Sequence, residues 1–126
     1  MISADKPCTA EISFEVFQDN TTVGAEFIIS DDFQKLSLFH SYLRNGLAPV
    51  FAKGVHRMTC EIAPLPLTTG SYPVTLGLSR PVVPIDYLEN AATIEVALPH
   101  RDGMMEEYKR ASGNGCVFVE HKWRVG

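Results

Sequence analysis

The run Leu65-Pro66-Leu67-Thr68-Thr69-Gly70-Ser71-Tyr72 turns a tight corner and delivers a tyrosine at the head of an alternating stretch, Val74-Thr75-Leu76-Gly77-Leu78. In β-sandwiches, a tyrosine at such a corner turns its hydroxyl back onto the upstream backbone while its ring enters the core between the sheets. Tyr72, Val74, Leu76 and Leu78 share one face at period 2, and that face is apolar. The opposite face carries Ser71, Pro73, Thr75, Gly77 and Ser79, all small or polar. It is either a solvated surface or, since Thr75, Gly77 and Ser79 lack bulk, the floor of a groove walled by neighbouring strands.

The same period runs through most of the chain. Over residues 10–18, Ile12, Phe14 and Val16 alternate with Glu11, Ser13 and Glu15, a half-buried strand. After the Asp19-Asn20 turn signal, Val23, Ala25, Phe27 and Ile29 repeat the alternation as a hairpin partner or a crossing to the other sheet. Residues 35–43 form a third strand with muddled parity, which a bulge or change of sheet near Phe39 would explain. Residues 47–54, broken by Pro49, read as a loop or short edge piece. Residues 56–63 alternate strongly, with Met58, Cys60 and Ile62 inward and Arg57, Thr59 and Glu61 outward. Beyond the rigid 80–84 linker, residues 85–90 have room for one helical turn at most. Residues 92–98 make another strand, 99–112 a long polar excursion, and Gly113-Asn114-Gly115 a turn into a last strand over 116–124. About seven short strands without helical periodicity define an all-β fold, an antiparallel β-sandwich of immunoglobulin-like or jelly-roll-like kind.

With 126 residues, the chain suits a single domain over 1–126 that buries roughly two thirds of its unfolded surface. No apolar run approaches the roughly 20 residues needed to cross a bilayer, so direct membrane insertion is not expected. The first residues lack a basic segment followed by an apolar one, which points to a cytoplasmic protein. A net charge of −4 argues against a nucleic-acid phosphate track. Cys8, Cys60 and Cys116 are odd in number and far apart, which fits reduced thiols. His40, His56, His100 and His121 show no metal-ligand spacing with one another or with a cysteine, so no metal or other cofactor is expected. The acidic pairs Asp31-Asp32 and Glu106-Glu107 are neighbours on turns, whereas glycoside hydrolysis needs two carboxyls facing across a cleft.

The ordered series of a strand at 11–17, the Leu67-x-x-Gly70-x-Tyr72 corner, Asp86-Tyr87-Leu88-Glu89-Asn90-Ala91, Ile94-Glu95-Val96 and Gly115 leading to Trp123 resembles one family. That family is the Wzt-type carbohydrate-binding domain at the C-terminus of the ATPase subunit of O-antigen polysaccharide ABC transporters. The resemblance covers residues from about Asp5 to Trp123. It implies a noncatalytic sandwich that recognises lipid-linked O-polysaccharide at the cytoplasmic face of the bacterial inner membrane. It also implies the transporter's ATPase and membrane subunits as partners, and a homodimer that can exchange its last strand. The chain departs from the pattern twice. It starts nearly at the strand containing Glu11, so the usual preceding edge strand is missing or supplied by a partner. It also has no Gly-x-x-x-x-Gly-Lys-Ser/Thr loop, so it is not itself the ATPase and reads as an excised or separately encoded accessory domain.

Glycan binding needs flat aromatic surface against sugar C–H faces and planar polar groups against hydroxyls. His40, Tyr42 and Arg44 share a parity and would form a patch with Arg57 if their strands adjoin; Tyr87 and Trp123 are the other candidates. The competing readings make Tyr42 edge packing, Arg44 a solvated turn residue, and Trp123 a plug for a core edge or dimer seam. A structural or dimerisation sandwich without a ligand is the alternative function.

Overall fold

The computed structural model describes residues 1–41, 46, 49–79, 84–99, 109–110, 115–119, 121 and 123–125, with the backbone alone for 84–86. Among these residues nine strands follow in order: β1 (Ile2–Ser3), β2 (Cys8–Val16), β3 (Thr21–Thr22), β4 (Gly24–Ser30), β5 (Lys35–His40), β6 (Val50–Phe51), β7 (Gly54–Ile62), β8 (Gly70–Ser79) and β9 (Pro84–Ala97). A five-stranded sheet runs β1-β9-β8-β4-β5, a two-stranded sheet pairs β2 with β7, and β3 pairs with β6. Phe27, Ile29, Tyr72, Val74 and Val96 of the large sheet pack against Cys8, Ala10, Ile12, Cys60 and Ile62 of the small one. The alternating strands thus meet apolar face to apolar face, and the chain is an all-β sandwich.

The corner sets this packing. Tyr72 is fully buried; its hydroxyl donates to the Thr68 carbonyl at 2.7 Å and lies 3.2 Å from Thr68 Oγ1. Thr68 Oγ1 in turn donates to the Gly115 carbonyl at 2.6 Å. A buried phenol without partners would cost free energy, and these contacts supply them. Burial pushes the phenol's pKa up.

Several expectations need correction. Of the two readings of the turn after β2 the hairpin fails and the crossing holds: β2 joins β7 and not β4, and the turn, with Asn20 at a φ of 58°, carries the chain from one sheet to the other. The irregularity in β5 lies at Leu36 and not near Phe39: Ile29 faces Ser37 while Ser30 faces Lys35, which leaves Leu36 as the extra residue. Leu36 and Phe39 therefore both turn inward, with Phe39 stacked on Phe27 at 4.5 Å, and Leu38 faces out. Residues 85–90 are strand rather than a helical turn, because pairing with β8 outweighs local preference. The register of β9 on β8 shifts between Val74 and Leu76, and Asn90 in that stretch has a φ of 49°. A first edge strand is present, since Ile2–Ser3 pairs in parallel with Val96 and Ala97. No strand is formed by the described residues of 116–124; the segment crosses the corner through a Leu67–Val117 bridge and a Phe118 N–H to Pro66 carbonyl bond. Most of the 99–112 excursion and the 113–114 turn lie outside the described residues.

Candidate functional site

The outward face of the large sheet is where polar chemistry collects. Register places His40 opposite Glu26, Glu26 opposite Gly77, and Gly77 opposite Tyr87, a straight row across β5, β4, β8 and β9. Glu26 follows Ala25 and precedes Phe27, both inward, so alternation sends its side chain to the outer face. Yet it is only 5% exposed. Gly77 explains this: a Cβ there would stand 2.8 Å from Glu26 Cγ, Glu26 Oε1 and Tyr87 Cε1. The missing side chain makes a seat that the Glu26 carboxylate and the Tyr87 ring fill together. The expected open floor at Gly77 is therefore covered; the exposed surface of this row is the Tyr87 side, while Thr75 and Pro73 remain half-exposed.

The carboxylate organises its neighbours. Oε2 lies 3.5 Å from His40 Nε2, and Oε1 is buried without a hydrogen-bond partner among the described residues. The Tyr87 hydroxyl approaches the same carboxylate without closing a bond on Oε1. That interaction, followed by burial, holds the phenol above its ordinary value of about 10. Because the raised value belongs to the folded state, the stability from this contact is present below about pH 10 and is lost as pH rises through the folded value. Glu26→Gln should return the Tyr87 titration toward the ordinary value in residue-resolved NMR; an unchanged titration would show that the charge does not reach the ring.

The sequence candidates do not form one patch. His40 and Tyr87 stand on the row. Arg57 is on β7 of the other sheet, facing solvent with Glu11 at 3.3 Å, and β5 and β7 do not adjoin. An ion pair this exposed contributes little. Trp123 is 89% exposed. Tyr42 and Arg44 lie outside the described residues, just after β5. Glu26 is the residue that sequence reasoning missed. The available signal was Ile28 sharing its parity, which marks the face as more than plain solvated surface.

Two other features lie apart from this row. A cleft of about 750 Å3 opens between the sheets at the β5 and β7 side, lined by Phe27, Phe39, Met58 and Cys60 among other core-facing groups. Near the corner, Asp31 accepts the Phe33 and Gln34 N–H groups at 2.7 Å, and those bonds depress its pKa. Arg110 bonds Asp32 at 2.8 Å and the Ser71 carbonyl at 2.7 Å, and lies over the Tyr72 ring. Cys116 donates to Asp31, and burial pushes its thiol up, the opposite of what a nucleophilic cysteine needs. Among the described residues no group of three or more His, Cys, Asp or Glu gathers in a way that would hold a metal, and no helix is long and apolar enough to cross a membrane.

Fold and site together define a β-sandwich with a row of polar and aromatic groups across the outer face of its large sheet, Tyr87 exposed and Glu26 and His40 largely buried. Among solved structures, the chain is similar to one described as the crystal structure of the C-terminal domain of Wzt, with a TM-score of 0.75 and 13% identity. The match covers 99% of this chain and 73% of that one, and at this identity it establishes the fold. No family model matches the sequence, and no curated protein matches it.

Proposed function

We propose that this chain, as a single domain over 1–126, is a noncatalytic polysaccharide-binding module that recognises lipid-linked O-antigen for an ABC exporter. The observation that carries the proposal is the end-to-end likeness of fold to the Wzt C-terminal domain. The ordered corner, linker and Trp123 series supports it from the sequence side. In this reading the outer row presents Tyr87 to the glycan with His40, largely buried, at the far end of the row; Tyr42, Arg44 and Trp123 are further candidates for contact, and Arg57, on the other sheet, lies away from this surface. The ATPase and membrane subunits of the exporter are the partners, met at the cytoplasmic face of the inner membrane. A homodimer that exchanges its C-terminal segment belongs to the same reading, and the exposure of Val119 and Trp123 supports it.

The test is calorimetric titration with O-polysaccharide released from the lipopolysaccharide of the source strain, against that of an unrelated serotype. Selective binding is expected, and Tyr42→Ala or Arg44→Ala should weaken it about tenfold, roughly 1.4 kcal/mol. Unchanged affinity would remove that residue from the site. Absence of any binding, with a stable dimer by light scattering, would favour the dimerisation module instead.

A further inference from the structure

The row across β5, β4, β8 and β9 carries an inference about ligand class, resting on the polysaccharide-binding reading. We infer that this face selects a glycan unit without negative charge, and that Glu26 is the residue that imposes the choice. Glu26 is a carboxylate 95% removed from solvent, seated over Gly77, with Oε1 lacking a donor among the described residues. Oε1 is closed off from solvent, so a ligand does not reach it as a hydrogen-bond partner; the carboxylate acts on a bound group through its charge, which is weakly screened where it is buried. Sugar hydroxyls and ammonium groups meet no repulsion from it; uronate and phosphate groups are anionic at neutral pH and meet a like charge at short range.

The rest of the described face has the same sense. Ser71 on β8 donates to both oxygens of Glu95 on β9, at 2.6 and 2.7 Å, which places a second carboxylate on this side of the sheet. His40 Nε2 lies 3.5 Å from Glu26 Oε2, which sets the imidazole beside the protein's own acid. Tyr87, 47% exposed, is left to offer its ring to the apolar face of a sugar beside the carboxylate. Glu26 acts in this arrangement as a specificity-determining and positioning residue, holding His40 and Tyr87 at the two ends of the row.

The experiment uses the source strain's O-polysaccharide and the same material after TEMPO oxidation, which turns primary alcohols into carboxylates at constant backbone. Calorimetry should show the wild-type protein binding the oxidised chain at least about tenfold more weakly. Glu26→Gln, which keeps the shape and removes the charge, should narrow that ratio. Equal binding of the two chains by the wild type would overturn the inference while leaving polysaccharide binding intact, and this comparison needs no variant. An unchanged ratio in a folded Glu26→Gln protein would overturn the role of Glu26. Failure of the unmodified chain to bind either protein would overturn the polysaccharide-binding reading itself, and this inference with it.

Discussion

Replacing Tyr72 by alanine is expected to remove roughly 3–5 kcal/mol of stability, the range for deleting a large buried ring from a packed core. Against a typical total of about 5–15 kcal/mol, that places the protein near its unfolding threshold. The size follows from position: the ring is fully buried among residues of the large sheet, and its hydroxyl bonds Thr68, which is tied in turn to Gly115. Tyr72→Phe separates the two contributions. It keeps the ring, leaves the Thr68 carbonyl without the hydroxyl, and should cost about 1–2 kcal/mol, a fall of roughly 4–8 °C in Tm. Glycan affinity should survive Tyr72→Phe, because the side chain faces the core. A Tyr72→Phe protein melting with the wild type would show that the corner bond is replaced by another of equal worth.

Gly77→Val is expected to have the largest effect on binding. The added Cβ falls 2.8 Å from Glu26 Cγ, Glu26 Oε1 and Tyr87 Cε1, closer than side-chain carbons approach other groups. Tyr87 is half-exposed and can swing away, whereas Glu26 is buried beside His40. Something must move, and overpacking of this kind costs about 1–3 kcal/mol. Whichever group yields, the row is broken, and affinity for the O-polysaccharide should fall by more than tenfold while the sandwich stays folded by circular dichroism. Full affinity in Gly77→Val would show that the glycan is held elsewhere.

The fold was legible where one residue sufficed to fix a face. Tyr72, with the corner before it, announced both its burial and its bond to the upstream backbone. Ile12, Phe14 and Val16, and Met58, Cys60 and Ile62, marked β2 and β7 by alternation. Partnership between strands was not legible, and the errors follow from that. The parity break at Leu36 depends on how Ser30 and Ser37 register across the β4–β5 pair. Residues 85–90 extend because β8 offers them an edge. The patch expected from His40 and Arg57 fails because β5 and β7 belong to different sheets. The candidate site suffered most. Alternation sent Glu26 outward, but its burial depends on a glycine on β8 and a tyrosine on β9, a relation that only the cross-strand register supplies.

The central claim, that the outer face of the large sheet is the glycan-binding surface, is tested most directly by mapping backbone amide shifts in ¹⁵N-labelled protein as the source strain's O-polysaccharide is added. Shifts concentrated at His40, Glu26, Gly77 and Tyr87, with the Glu11 and Arg57 face of the small sheet unmoved, are the predicted result. Shifts confined to Glu11, Arg57 and their neighbours on β2 and β7, with the row unmoved, would contradict it.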